Sequence, residues 1–545
     1  MTKRNLRDAQ AEVSQLEMEL QRKDKLLRGL QERKRRMDAK VQLVPYNKLM
    51  PFIKSIPVGS MYSVYETLCE GLDEEYKVHG CYRNLAELLI KLAEFYLSGC
   101  SGHTLVWFEE EYKFYVSLGG DGAPFGKHDT ACAWLVGFLN IGRRILSSNE
   151  NFLLFGANCS ENCIPVQRYI KMLVSDVQHL EQQTFKCTYI TSESQTCTVD
   201  IKFHISEFPN DLKMVAFLCG ELTNSATYFC SFANVSSKDA TEISGQFGKE
   251  KDKKWHPWNY SERKVLSDPK IHIDPLHLKN NACALAHRLL LQEVLLIFQL
   301  PSAIKSFLQV PSTSSFHKYI DAMRTKCNVR RLANKIIRWF NENRDSKFDY
   351  RYTGKDSRCF LQNFMFLIAA MEPFLKDKTK ALFTFHVLAY LCLTLRDCVS
   401  VFSRIDVTDS QLDDLEKNCR TYFVLHYLYF DHHPTACTLG NIVSEHARDM
   451  KVKYGKRLGL NSMEGRESKH ISISRYSKNT YFKARWEQIF QHEYVSLVWL
   501  GEKGYNFEKP ASECCSRYMY IPKRATEDSK FCNCGCEKQV QSASC

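Results

Sequence analysis

Long uninterrupted apolar runs are missing from this chain. No stretch reaches the roughly 18–20 residues that a bilayer span requires, so no membrane segment is expected. The first residues are charged and heptad-patterned, without the apolar centre of a signal peptide. Glycine and proline are sparse, at 24 and 15 of 545 residues, which excludes collagen-like and low-complexity architectures. No internal repeat is visible, which argues against solenoids and propellers. A dominant charge of one sign is also lacking: 74 Lys and Arg against 62 Asp and Glu leave a formal net charge of +12. That balance permits a nucleic-acid partner without demanding one. Cysteine is plentiful at 23 residues. Without a secretory signature, most are expected to be reduced core thiols in an intracellular protein.

What is present describes a folded chain, 44% hydrophobic and 12% aromatic, long enough for two to four domains. Residues 1–45 carry a heptad. Leu6, Val13, Leu20, Leu27, Lys34 and Val41 fall at one core position, and Ala9, Leu16, Lys23, Leu30 and Met37 at the other. This is the pattern of a coiled-coil dimerisation arm, weakened by Gly29 and the two core lysines, and it implies a homodimer. The basic cluster Arg33-Lys34-Arg35-Arg36 has three readings: a nuclear signal, a DNA contact or a solvated helix face. Residues 46–103 read as a small helical region with a helix over 85–97. Residues 104–235 read as a mixed α/β sheet. Strands are predicted at 104–108, 112–118, 131–141, 152–156, 198–205 and 227–231, with a helix over 163–180 and a shorter one after Asp211. Residues 236–455 read as predominantly helical, with helices at 275–298, 328–341, 358–374, 381–402 and 411–429. They open with a polar, aromatic linker at 249–263. Two closing helices occupy 456–500, and a cysteine-rich tail fills 501–545.

Three acids stand out. Asp121 follows the alternating strand pattern of 112–126 (YKFYVSLGGDGAPFG), where a strand tip suits a carboxylate that holds a metal ion. The alternative is an ordinary turn aspartate before Gly122. Asp211 follows a strand and a short loop and opens a helix, where an acid also serves as a helix-start residue. Glu464 and Glu467 share one helix face in LGLNSMEGRESKHISISRY, with Asn461 and Glu464 placed as a capping box. Arg466, Lys469, His470 and Arg475 surround them, so carboxylates for cations adjoin basic groups for a DNA backbone. A solvated charged helix would contain the same residues.

The three stretches occur together and in order, and with them the chain resembles the recombination-activating recombinase and Transib transposase superfamily. The further matches are Asp274-Pro275-Leu276-His277 with Asn281-Ala282, the segment 348–354 (FDYRYTG), and Glu464-Gly465-Arg466-Glu467-Ser468. The last is similar to that family's Glu-Gly-Asn-Glu-Ser, whose second glutamate is catalytic. The resemblance spans about 110–475. It implies a ribonuclease-H-like sheet interrupted by a large helical insertion, acting on DNA in the nucleus. It also implies an Asp121–Asp211–Glu467 triad holding two magnesium or manganese ions. In that scheme Asp121 bridges the ions, while Asp211 and Glu467 each anchor one.

The family's structural zinc is matched only by Cys230 and His446. Ala233 and Asn441 stand at the other two positions, so a closed tetrahedral site is not expected. His272, Asp274 and His277 are read as a helix-start aspartate with satisfied histidines rather than a metal cluster. The tail offers a second zinc candidate in Cys514, Cys532, Cys534 and Cys536, beside Cys515; a metal-free tail is the alternative. Three functions compete: an active transposase or recombinase, with an accessory protein as a further partner; a retired transposase that binds DNA or scaffolds; and a coiled-coil adaptor in which the acids are turn and cap residues.

Overall fold

The computed structural model describes residues 59–502, apart from 100–104, 126–129, 192, 219–225, 259–270, 300–303, 344–347, 349 and 479. Four isolated positions before residue 59 are also described. The chain divides into two units, Met1–Pro57 and Val58–Cys545. The coiled-coil arm, the Arg33–Arg36 cluster and the tail cysteines Cys514, Cys515, Cys532, Cys534 and Cys536 lie outside the described residues.

Seven strands form one mixed sheet: β1 (Met61–Ser63), β2 (Gly80–Arg83), β3 (Lys113–Pro124), β4 (Thr130–Phe138), β5 (Phe152–Ala157), β6 (Thr184–Ile190) and β7 (Thr196–Glu207), in the order β1-β2-β5-β4-β3-β7-β6. Only β3 and β7 pair in parallel; every other neighbouring pair is antiparallel. The middle strands are buried on both faces, which is why β4 and β5 are apolar almost throughout. The sheet therefore begins earlier than the sequence suggests, since β1 and β2 come from the region read as helical. That region's helix α1 (Leu85–Leu97) is found where helical spacing puts it.

Two predicted strands are absent from the sheet. Residues 105–108 stay outside any ladder, and Trp107 packs edge-on against Phe114 at 5.3 Å. Residues 227–231 likewise form no strand of the sheet, while Phe229 and Cys230 are buried. In both cases β-forming residues report burial rather than pairing. Helix α2 (Ile164–Glu181) follows β5, and the short α3 (Leu212–Leu218) follows β7.

The helical part comprises α4 (Pro275–Phe298), α5 (Ser315–Thr325), α6 (Arg330–Glu342), α7 (Gly354–Met371), α8 (Thr379–Phe402), α9 (Asp409–Tyr429) and α10 (Val443–Tyr454). α4 and α8 are long and apolar enough to cross a membrane, but the most apolar windows are 50% and 61% buried by their neighbours. Two helices, α11 (Glu464–Ser477) and α12 (Arg485–Glu502), return to the sheet. Gly465 lets α11 approach closely: a Cβ there would stand 2.5 Å from the Asn151 amide and the Ile145 carbonyl.

Candidate metal centre

β3 carries Asp121 three residues before its end, paired opposite Ala133 of β4. The two glycines before it are required by close neighbours. A Cβ on Gly119 would sit 2.3 Å from the Pro209 carbonyl oxygen, and one on Gly120 2.3 Å from the Trp134 ring. The space they leave admits the chain beyond β7. Asn210 accepts the Gly120 N–H at 2.9 Å through Oδ1 and donates to the Phe208 carbonyl at 3.0 Å. Asn210 thereby holds the start of α3 against β3 and sets the next residue, Asp211, beside Asp121. Oδ1 of Asp211 accepts the Met214 N–H at 2.7 Å, so this acid also serves the helix start.

The third acid arrives on α11. Ligand atoms of Asp121, His277 and Glu467 all lie within 4.8 Å of one another, the one such group among the described residues. Asp211 stands outside this group, yet its negative charge acts on Asp121. Burial raises the Asp121 carboxyl well above its ordinary range, and the charges of Glu467 and Asp211 add to this. Glu467 moves the other way, held low chiefly by its hydrogen bond with His277. The two carboxyls share a hydrogen bond. Burial and like charge thus disfavour the ionised form of Asp121, while His277 favours that of Glu467.

His277, read from the sequence as a satisfied histidine beside a helix-start aspartate, instead joins the two acids. Asp274 caps α4 as expected, accepting from the N–H groups of Leu276 (3.2 Å) and His277 (2.8 Å). It also meets the His277 ring Nδ1 at 2.5 Å and accepts the Met463 N–H just before α11 at 2.8 Å. With Nδ1 fixed, Nε2 lies 3.4 Å from Glu467. Burial opposes a charge on this ring, but Asp274 and Glu467 outweigh it and lift its pKa well above the usual histidine value. The available signal was the Asp274-to-His277 spacing, three residues at a helix start. What could not be read was that α4 and α11 meet there.

Around this group the basic residues do not serve as expected. Arg466 is buried, and its Nη2 donates to Ser117 of β3 at 2.9 Å. Lys469 is buried in an ion pair with Glu493 of α12 at 2.9 Å. His470 is buried, and burial lowers its pKa to about 4. These three are structural partners of α11 rather than DNA contacts; Arg475 alone of the four is exposed. Asn461 forms no capping box with Glu464: its amide donates to the His272 and Ile273 carbonyls, and Glu464 pairs with Lys279.

The residues fit a hard divalent cation. Two carboxyls converge beside His277 with a third acid near enough to act on Asp121, and hard oxygen donors of this kind suit such an ion. The Cys230 and His446 zinc candidates do not fit. The His446 Nδ1 accepts the Ile273 N–H at 3.1 Å, and its ring packs edge-on against Phe232 and His272. His446 and Cys230 belong to no group of three metal-ligating side chains among the described residues. Compared with known proteins, the chain matches no protein-family model and no curated protein.

Proposed function

We propose that this chain is a metal-dependent DNA-processing enzyme of the transposase and recombinase class, with a ribonuclease-H-like core that cleaves phosphodiesters and transfers strands. One observation carries the reading. A central strand and a returning helix bring Asp121 and Glu467 together, and the chain after the parallel strand β7 sets Asp211 near enough for its charge to act on Asp121, although 90 and 256 residues separate each acid from the one before it. Turn and cap acids have no reason to converge, so the adaptor reading loses support.

Bound there, two divalent ions would activate an attacking hydroxyl and stabilise the leaving oxygen opposite it. The chain's own residues supply the positioning. Asp121 and Glu467 are the acids that would hold the cations, with Asp211 beside them. Asp274 orients the His277 ring, and His277 Nε2 holds the Glu467 carboxylate in register with β3. His277 also carries a proton at the edge of the site, 3.4 Å from Glu467. Asn210 and Arg466 tie β3 to the chain after β7 and to α11. A nuclear location, a homodimer and an accessory protein belong to the same proposal.

A retired transposase is the second reading, favoured by one feature: Glu467 already has a cationic partner in His277. Cleavage of labelled plasmid by the purified full chain, with magnesium or manganese, separates the alternatives. Metal-dependent nicking that Asp121→Asn and Glu467→Gln both lack supports the enzyme. Salt-sensitive DNA binding without nicking assigns the retired form, and neither activity returns the chain to the adaptor class.

A further inference from the structure

Between α11 and α12 the chain carries two adjacent aromatic side chains that the core does not absorb. Tyr481 is 83% exposed and Phe482 52%. Stray apolar side chains on a surface are ordinary, but this pair is held in place. The Asn158 side chain, just past β5, donates to the Phe482 carbonyl at 2.9 Å. It accepts from the Trp486 indole at 2.9 Å and from Arg485 at 3.4 Å. Gly156 makes room for that indole, since a Cβ there would meet the Trp486 ring at 2.1 Å. The Arg485 guanidinium stands over the Phe482 ring at 5.1 Å and over the Phe125 ring at 5.5 Å. The start of α12 thus braces Phe482 against the end of β5.

We propose, on the premise of the DNA-processing function, that Tyr481 and Phe482 form a stacking platform for unpaired bases of a DNA strand passing the metal centre. Charge selects this occupant. Between Glu467 and Glu487 the sequence holds no acid, while Arg475, Lys478 and Lys483 are exposed there. Exposed cations interleaved with aromatic rings suit a phosphate backbone together with its bases. Position agrees with charge. Gly122, beside Asp121, lies opposite Cys132 of β4, which lies opposite Ala157 of β5. Two strand spacings of about 4.8 Å therefore set Ala157, the residue before Asn158, roughly 10 Å from Gly122. A DNA strand advancing about 3.4 Å per nucleotide covers that span in about three steps. Phe125, four residues after Asp121, reaches the platform through Arg485.

The contact is tolerant of sequence, because every base presents a flat face to an aromatic ring. It is selective for strand state. Bases inside a duplex are already stacked on both sides, so duplex DNA gains only the contacts of the exposed lysines and arginine with its phosphates. The platform therefore favours a strand that is unpaired or frayed beside the cut.

The full chain, in chelator so that no strand is cut, is titrated against fluorescein-labelled oligothymidylate of about 16 nucleotides and against a duplex of the same length. Tyr481→Ala is expected to weaken oligothymidylate binding about tenfold with duplex affinity and thermal melt unchanged, whereas Tyr481→Phe should bind as the natural chain does. Lys483→Ala should weaken both complexes and flatten the logarithmic salt slope on the single strand by about 0.7. Oligothymidylate affinity that is the same in Tyr481→Ala overturns the platform and leaves the DNA-processing function standing. If the full chain binds neither DNA, both fall together. Loss of self-association in Tyr481→Ala, with DNA affinity unchanged, assigns the pair to an interface between copies and also overturns the proposal.

Discussion

Asp121 is costly to the fold in which it stands. Its carboxyl is desolvated and faces the charges of Glu467 and Asp211, so the apo protein holds like charges together at this point. Asp121→Asn keeps the shape and removes that repulsion. It is expected to stabilise the metal-free protein by about 1 kcal/mol in chelator, read as a higher denaturant midpoint. The same variant should lose the magnesium-dependent rise in stability of the natural chain, about 2.7 kcal/mol at a hundredfold excess over Kd. A second prediction concerns histidines far from the site. Burial lowers the pKa of His287 to about 3 and of His426 to about 4. In the unfolded chain each takes up a proton near pH 6.5. Between about pH 6.5 and 4 the unfolded state therefore binds more protons. Stability falls as the pH is lowered, by about 1.4 kcal/mol per pH unit for each ring. Glu150, raised by burial, has the opposite sign and offsets part of this. Urea midpoints measured from pH 7 down to pH 4.5 test the slope, and His287→Asn should flatten it.

α11 is fixed to the sheet by a buried ion cluster. Glu493 of α12 accepts from Lys469 at 2.9 Å and from the Leu153 N–H of β5 at 2.9 Å, with Arg83 of β2 at 3.9 Å. Removing the acid strands two buried cations, so Glu493→Ala is expected to cost about 3–5 kcal/mol. It should also weaken metal binding, because Lys469 lies two residues from Glu467 on the same helix. Thermal melts with and without magnesium measure both effects. This cluster explains what the sequence could and could not disclose. α1 and α4 were legible at both ends, because helical spacing and, for α4, the Asp274-Pro275 start leave little freedom. Asp121 was legible as an acid on a strand, although it lies inside β3 rather than past its end. β1 and β2, of three and four residues, contain too few alternations to register as strands. The positions of Arg466 and Lys469 were illegible for another reason. A basic residue beside acids looks the same whether its partner is a phosphate or a buried Ser117 or Glu493 from a distant segment.

Across the larger unit, residues 61–83 add two strands to the sheet that carries Asp121. β2 pairs with β5, Arg168 of α2 donates to the Leu68 carbonyl at 3.0 Å, and the Tyr96 hydroxyl donates to Glu150. A truncated protein beginning at residue 104 is therefore expected to give no cooperative melt, whereas one beginning at 58 should retain it; calorimetry of the two distinguishes them. The link between Arg83 and α12 has a further consequence, for the time at which the protein becomes whole. The Arg83 guanidinium donates to the Phe490 carbonyl at 3.1 Å across 407 positions of sequence, and it stacks over the Phe490 ring. A ribosome adding about 5–20 residues per second needs roughly 20–80 s to travel between them. Throughout that interval the early strands have left the exit tunnel with a cation that cannot yet be neutralised. The contact that closes this side of the sheet therefore forms only after α12 has been made.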